Sequence, residues 1–119
     1  MRFRAEDWFV ADADITQAKE LIRRYHYARG GSHTGVFFHG LFDCRFDNEW
    51  LFGIAQWLPP TKVAAESVNK AEWQRVLSLS RLVIEPGVPK NACSFLIGRS
   101  IRMIERTRNW SSLVTYADE

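Results

Sequence analysis

The sequence contains few cysteines and no long apolar run. Its two cysteines, Cys44 and Cys93, lie far apart and neither belongs to a Cys-x-x-Cys pair, so the sequence predicts neither a disulfide scaffold nor a zinc knuckle. No segment approaches the ~20 consecutive apolar residues of a membrane-spanning helix, and the N-terminus lacks the apolar core of a signal peptide. These absences predict an unprocessed cytoplasmic protein without a membrane partner.

Common catalytic motifs are absent as well. The sequence has no Gly-x-Ser-x-Gly elbow, no Walker loop and no Gly-x-Gly-x-x-Gly segment, which argues against the common hydrolase, nucleoside triphosphatase and Rossmann classes. His33 and His39 have no carboxylate at the spacing of a metal-ligand set, so we predict no metal site. His26 and Asp118 are the pair that folding could still bring together.

The composition fits one globular domain over residues 1–119. Hydrophobic residues make up 46% of the chain, aromatic residues 13% and charged residues 25%, as in an ordinary folded domain. The formal net charge is +2, and arginine supplies twelve of the 16 basic side chains. Its planar guanidinium matches phosphate oxygens, which hints at a polyanionic partner, although charge alone favours an ordinary solvated surface.

Hydrophobic periodicity predicts the order α-β-β-(α)-β-α-β, a single α/β or α+β layered structure. Asp14 and Gln17 form a capping box, which predicts a helix over about 15–27. The other predicted elements are an antiparallel hairpin of strands Val36–Phe42 and Trp50–Leu58, a loop with a short helix over 61–76, a strand Ser78–Ile84, a helix that begins at Asn91 or Ala92, and a last short strand Leu113–Ala117.

The most informative segment is the predicted strand, turn and helix over Leu79–Gly98. A helix that begins directly after a strand points unpaired backbone N–H groups at one place, and its dipole attracts an anion there. Ala92, Cys93 and Ser94 are small, so the backbone can approach a pyrophosphate closely. Cys93 is either a small residue beside that ligand or, near a helix N-terminus, a nucleophilic thiolate.

This segment resembles the cofactor loop of the GNAT superfamily of N-acetyltransferases, whose strand and turn bind acyl-coenzyme A. The loop pattern of that superfamily, Arg/Gln-x-x-Gly-x-Gly/Ala, corresponds to Pro89–Ser94, where the small residues are present and the leading Arg is not. The resemblance implies a mixed, mostly antiparallel sheet flanked by helices, with acetyl-CoA or a related acyl-CoA as cofactor. The implied cofactor-binding residues are Leu82, Val83, Ile84, Lys90, Asn91, Ala92, Cys93 and Ser94.

A narrower resemblance is to the Mom-type DNA-modification proteins of phages, a divergent branch of that superfamily. The pieces that carry it are Tyr25-His26-Tyr27, then Leu79-Ser80-Arg81-Leu82 leading to Asn91–Leu96, and finally Leu113–Asp118. Together they span about residues 20–118. The resemblance implies that the protein modifies adenine in double-stranded DNA inside the host cytoplasm, so that host restriction enzymes fail to cut.

The same resemblance implies the catalytic residues His26, Tyr27, Arg81, Tyr116 and Asp118. His26 and Tyr27 would lie at the mouth of the cleft, where an imidazole can move a proton to or from the adenine amine. Tyr116 and Asp118 would lie opposite as acid or orienting groups, and Arg81 and Ser94 would face the cofactor. The alternative is structural: His26 caps the first helix and Tyr116 packs in the core.

Arginines supply two candidate DNA surfaces. The run from Arg23 to Arg29 alternates cations with aromatic residues, a composition that combines phosphate contacts with base stacking and suits an enzyme that extracts a base from the duplex. Arg23, Arg24 and Arg29 are therefore predicted DNA contacts, unless they are simply solvated. The second set, on the last predicted helix, comprises Arg99, Arg102, Arg106 and Arg108, for which we favour a solvated helix face over a DNA track.

Two other functions remain open at this point, namely N-acetylation of a small amine or a protein lysine, and nucleic-acid binding without catalysis. The chain also stops at Glu119, before the helix and strands that follow in the proteins it resembles. We expect either a truncated form that lacks those C-terminal strands or a homodimer whose partner supplies them.

Overall fold

The computed structural model describes residues 3–25, 36–46, 50–89 and 91–115. The described elements are, in chain order, a 3₁₀ turn Ala5–Asp7, β1 (Trp8–Asp12), α1 (Ile15–Tyr25), β2 (Phe37–Asp43), β3 (Gly53–Leu58), α2 (Lys62–Val68), a 3₁₀ turn Trp73–Arg75, β4 (Val76–Ile84), α3 (Ala92–Thr107) and β5 (Ser112–Val114).

The strands form one five-stranded sheet in the order β1-β2-β3-β4-β5. The first three neighbouring pairs are antiparallel, and β5 runs parallel to β4. Helices α1 and α3 both contact the sheet. The predicted fold class, a mixed and mostly antiparallel sheet flanked by helices, is confirmed.

The two faces of the sheet carry separate core clusters, each covered by one helix. On the first face, Ala18 and Leu21 of α1 pack with Ile54 of β3. On the second face, Leu96 of α3 packs with Ala55, the next residue of β3. Neighbouring residues of a strand point to opposite faces, so β3 is buried on both sides. This explains why its sequence is a nearly continuous apolar run.

Most predicted elements are present with shifted ends. The capping box closes as predicted, because the Thr16 N–H donates to Asp14 Oδ1 at 3.1 Å and the Asp14 N–H donates to Gln17 Oε1 at 3.3 Å. The hairpin, the short helix, the long strand and the long helix are confirmed, and the long strand begins two residues early at Val76. Residues 26, 27, 116 and 117, which the predicted α1 and β5 included, lie outside the described residues.

The predicted element order was wrong at its start, because it omitted β1. Trp8–Asp12 pairs in register with β2, from Trp8 opposite Asp43 to Asp12 opposite His39. The strand is only five residues long. Trp8 is buried, Asp12 is exposed and the three residues between them are half-buried, so the strand lacks the alternation of apolar and polar residues by which a longer strand is predicted. Pairing with β2, rather than local pattern, makes it a strand.

None of the helices within the described part of the chain is long and apolar enough to cross a membrane.

Candidate functional site

β4 changes its surroundings halfway along its length. Its lower half, Val76–Ser78, pairs with β3 on one side and with β5 on the other, from Val76 opposite Ser112 to Ser78 opposite Val114. Its upper half, Arg81–Ile84, pairs with β3 but with no second strand among the residues described. The strand continues for six residues past the last β5 pair, which is roughly 20 Å of main chain. Among the residues that the structure describes, one edge of the upper half is therefore unpaired, and its main-chain groups are open to a ligand.

A β-bulge separates the two halves. Gln56 lies opposite Arg81 and Trp57 lies opposite Leu79, so Ser80 is an extra residue without a partner in β3. Beyond the bulge, the side chains of β4 again alternate between the two faces of the sheet, but with the alternation shifted by one residue. Leu79 and Leu82 consequently both pack on the α3 face. Bulges commonly bend a strand near a functional site.

The predicted cofactor residues of the upper half have their side chains in the core. Leu82 and Ile84 pack on the α3 face and Val83 packs on the α1 face. What they can present to a ligand at the open edge is their backbone N–H and C=O groups. Side-chain substitutions at these positions would therefore test the core and not the contact to a ligand.

Arg81 is the charged residue of the upper half. Its side chain is half-buried and lies opposite Gln56, which is fully buried. Within the described ranges, the side chain of Arg81 makes no ion pair or hydrogen bond, unlike that of Arg23, which contacts Glu20 at 2.9 Å. A partly desolvated guanidinium without a carboxylate partner is suited to bind an anionic or carbonyl oxygen.

The upper half ends in a tight turn. Pro86 and Gly87 occupy its centre, and the Val88 N–H donates to the Glu85 carbonyl at 3.3 Å. Gly87 has φ of +92°, which a type II turn requires at its third position and which glycine adopts without strain. A hydrogen bond from the Glu85 N–H to the Phe52 carbonyl, 2.8 Å long, fixes the turn to β3.

The turn leads into an α3 N-terminus that no side chain caps within the described part of the chain. Asn91 is the N-cap residue and makes no capping hydrogen bond. Ala92 is fully buried, whereas Asn91 and Ser94 are exposed. The first N–H groups of a long helix and its dipole favour an anion. The predicted cofactor residues Asn91–Ser94 therefore lie where a phosphate could reach them, and Lys90 lies outside the described residues.

Cys93 is half-buried in the first turn of α3. Burial raises the pKa of its thiol, and a protonated thiol is a poor nucleophile. This favours the reading of Cys93 as a small residue beside the ligand over the alternative of a nucleophile.

An aromatic groove borders the same turn. It encloses about 750 Å³, and Phe52 is its central ring, with ring centroids at 5.5 Å from Trp8, 5.7 Å from Phe46 and 6.3 Å from Trp50. Phe46 is 58% exposed and Trp50 47% exposed. Large exposed aromatic residues beside a cavity of this size are typical of ligand sites. Sequence reasoning missed the groove, although three aromatic residues around one hairpin turn were a visible signal.

A buried polar network was also missed. The Trp57 Nε1–H donates to Ser100 Oγ at 2.8 Å, and Ser100 Oγ lies 2.5 Å from His39 Nδ1. His39 Nε2 lies 3.6 Å from Asp12 Oδ1. Since Ser100 accepts from Trp57, its hydroxyl can donate to His39 Nδ1, which assigns the ring proton to Nε2, facing Asp12.

The network contains Ser, His and Asp in the order of a hydrolase triad, but its serine has no access to a substrate, because Ser100 is fully buried. Desolvation lowers the pKa of His39, and the Asp12 carboxylate partly opposes this shift. The network therefore fastens α3 to β2 and β3 with a neutral histidine.

Of the eight predicted catalytic and DNA-binding residues, Arg23 and Arg81 are the two whose side chains the structure describes. Leu21 of α1 packs in one cluster with Val83 of the upper half, and β5 runs in the direction of the upper half. Helix α1 thus packs against the upper half, and β5 runs toward the open end of β4. The predicted residues that follow them or belong to the first loop, His26, Tyr27, Arg29, Tyr116 and Asp118, lie outside the described residues, and so does the side chain of Arg24.

No group of three or more His, Cys, Asp or Glu side chains in the described ranges could hold a metal ion.

Several solved structures with the same fold are acetyltransferases. The chain is similar to a ribosomal-protein-alanine N-acetyltransferase from Brucella melitensis biovar Abortus 2308, with a TM-score of 0.61 and 16% identity over 94% of this chain and 81% of that one. It is similar to an aminoglycoside acetyltransferase from an uncultured soil metagenomic sample, with a TM-score of 0.62 and 7% identity over 97% and 80% of the two chains.

An acetyltransferase from Trypanosoma brucei is similar too, with a TM-score of 0.60 and 14% identity over 95% of this chain and 84% of that one. At such identities the likeness establishes the fold, which is that of the GNAT acetyltransferases. No curated protein sequence matches the chain.

The sequence itself matches the model of the Mom protein family over residues 7–119. This match includes β4, its bulge, the turn and the whole of α3, and it continues through the predicted residues at the C-terminus. The chain therefore belongs to the Mom protein family.

Proposed function

We propose that this protein uses an acyl-CoA to modify the amino group of adenine in double-stranded DNA, and that the modification protects the DNA from host restriction enzymes. The observation that carries the proposal is the open edge of the upper half of β4 beside the uncapped N-terminus of α3, in a chain of the Mom family with an acetyltransferase fold.

The open edge suits the extended arm of coenzyme A. That arm contains two amides, which can pair with main-chain groups of Arg81–Ile84 as an added strand would. The pyrophosphate would then reach the first turn of α3, where Asn91 and Ser94 are exposed and Cys93 and buried Ala92 leave room for it. Lys90 would add a positive charge. The bound acyl-CoA supplies an activated thioester carbonyl.

The acceptor side is proposed from the residues that follow α1 and β5. His26 would accept the proton that the adenine amine loses when its nitrogen bonds to the acyl carbon, with Tyr27 beside it. The C–S bond of the thioester would break in the same transfer, and coenzyme A would leave as a thiolate that takes up a proton. Tyr116 and Asp118 would orient the base, and Arg81 would hold an oxygen of the donor. Because the exocyclic nitrogen is inside the duplex, the adenine has to be flipped out, and Arg23, Arg24 and Arg29 would hold the adjacent phosphates.

The experiment compares nucleosides from DNA of cells that express the wild-type protein or the Arg81→Gln variant. Mass spectrometry should detect a heavier adenine nucleoside with the wild type and at least a tenfold smaller amount with Arg81→Gln. The DNA from wild-type cells should also resist restriction enzymes whose sites contain adenine.

Lys70→Gln is the matched control, because it removes one positive charge from an exposed residue between α2 and β4 and should leave the yield unchanged. Adenine could instead stay unmodified in cells that express the wild-type protein, while the purified protein transfers acetyl groups to small amines. This outcome would show that the protein is a small-molecule N-acetyltransferase.

A further inference from the structure

A second groove lies between α3 and the edge strand β1. It encloses about 290 Å³ and is lined by Trp8, Phe9 and Val10 of β1 and by Phe95, Arg99, Arg102, Met103 and Arg106 of α3. We call it the basic groove. It lies on the α3 helix, whereas the predicted DNA contacts Arg23, Arg24 and Arg29 belong to α1 and the residues after it.

The arginines of the basic groove differ from most other described arginines in their partners. Arg99, Arg102 and Arg106 are exposed and make no ion pair within the ranges that the structure describes. By contrast, Arg4, Arg23, Arg45 and Arg75 each have a carboxylate at 2.7–3.1 Å. Charges that a protein has not neutralised internally are available to an external anion.

The arrangement of the three charges is regular. Arg99, Arg102 and Arg106 occupy positions i, i+3 and i+7 of α3, so they line one side of the helix over roughly 10 Å. The guanidinium of Arg99 lies over the Phe95 ring, 4.9 Å from its centroid, which restrains it without cancelling its charge. Glu105 is the one acid of α3, so the helix surface keeps an excess of positive charge.

This spacing matches a nucleic-acid backbone. Phosphates follow one another by about 3.4 Å along the axis of each strand of duplex DNA, so a row of three guanidinium groups over roughly 10 Å spans about three such steps. Arginine is the cation whose planar fork fits phosphate oxygens best. The apolar floor of the groove, from β1, can accommodate the sugars that lie between phosphates.

We propose that the basic groove binds the phosphate backbone of double-stranded DNA. Only the identity of the polyanion rests on the proposed function, since the groove itself is defined by Arg99, Arg102 and Arg106. The groove thereby adds a DNA contact on α3 and β1 to the contacts proposed for Arg23, Arg24 and Arg29.

The test compares two triple variants with the same net charge. One replaces Arg99, Arg102 and Arg106 by Gln. The control replaces Lys19, Lys62 and Lys70 by Gln, three exposed lysines on α1, α2 and the turn after α2. Binding of each to a fluorescent DNA duplex is measured by anisotropy over a series of salt concentrations, and thermal unfolding confirms that each protein is folded.

Loss of three phosphate contacts should weaken binding roughly 100-fold near 0.1 M salt and reduce the slope of log K against log salt by about 3. The affinity of the lysine variant for DNA should fall by less than about threefold. If the arginine variant does not fold, the single variant Arg102→Gln should reduce the slope by about 1.

Equal weakening by both triple variants would overturn the proposal, because net charge alone would then explain binding. Unchanged DNA binding with lost acetyl-CoA binding would also overturn it, because the groove would then hold a nucleotide phosphate of the cofactor. Arginine-dependent DNA binding by a wild-type protein that leaves adenine unmodified would support the basic groove and reject only the proposed function. Modified adenine, together with DNA binding that does not depend on the three arginines, would support the proposed function and reject the basic groove as a DNA contact.

Discussion

The two halves of β4 belong to one strand but serve different purposes. In the lower half, Val76 and Leu77 are fully buried and have a strand on each side. In the upper half, Arg81 and Leu82 are half-buried, and β3 is the one strand that pairs with them among the described residues. The lower half stabilises the sheet, and the upper half leaves main-chain groups for a ligand. The bulge at Ser80 is the boundary.

The largest expected effect is on stability in the lower half. Leu77→Ala removes a fully buried side chain that packs with Trp57 and Ile104 and should lower the free energy of unfolding by about 3 kcal/mol. Leu82→Ala, in the upper half, removes the same atoms from a half-buried position and should cost about half as much. Urea denaturation of both variants measures the free energy of unfolding. Equal losses in the two variants would contradict the difference between the halves.

The next effect is on ligand binding beside the upper half. Ser94→Trp places a large ring on the exposed first turn of α3, where it should block the N–H groups and weaken acetyl-CoA binding roughly 100-fold with little loss of stability. Isothermal titration calorimetry measures the affinity. Ala71→Trp, at an exposed position before the Trp73–Arg75 turn, is the control and should bind like the wild type. Equal affinities of the wild type and both variants for acetyl-CoA would show that the first turn of α3 is not part of the cofactor site.

A smaller effect depends on pH and concerns the buried network near the lower half. The pKa of His39 is lowered from 6.5 by burial, so the unfolded chain takes up a proton before the folded protein does. The stability that neutral His39 contributes is therefore full above about pH 6.5 and falls as the pH drops toward the lower folded-state pKa.

From pH 7.5 to 5.5 the free energy of unfolding should therefore fall. His39→Gln removes the titrating ring and should show a flatter profile over the same range. Asp43 does not interfere, because hydrogen bonds from Arg45 lower its pKa from 3.8, which places its titration at more acidic pH. Parallel pH profiles for wild type and His39→Gln would contradict the role assigned to the network.

The smallest effect concerns the turn after the upper half. Gly87→Ala meets no atom within 4 Å, but φ is +92° there, so the strain of a left-handed residue should cost about 1 kcal/mol. Gly98→Ala, inside α3 and also without a nearby atom, should instead raise stability by about 0.5–1 kcal/mol. Thermal unfolding compares the two variants. A stabilised Gly87→Ala would show that the turn adopts another conformation.

The sequence predicted the elements whose pattern is local. The Asp14–Gln17 capping box and the apolar run before Leu58 each depend on residues close together in the chain, and both predictions were confirmed. The residue pattern also predicted the strand, turn and helix around Pro86–Ser94, and family resemblance then assigned a cofactor to the turn; the fold places it at the end of the upper half of β4.

Features that depend on distant residues escaped sequence reasoning. β1 is a strand because Trp8–Asp12 pairs with β2, and the His39 network joins residues 61 positions apart in the chain. The basic groove needs both β1 and α3, so the arginine pattern of α3 alone predicted only a solvated face. The roles of His26, Tyr27, Tyr116 and Asp118 stay predictions.

The most direct test of the central claim is hydrogen exchange of β4 with and without acetyl-CoA, resolved by residue with NMR. We expect acetyl-CoA to slow exchange of amides within Arg81–Ile84 that face away from β3, and to leave Val76–Ser78 unchanged, because β5 already pairs with the lower half. Saturable binding without protection in the upper half, or equal protection of both halves, would contradict the claim that the open edge of β4 is the cofactor site.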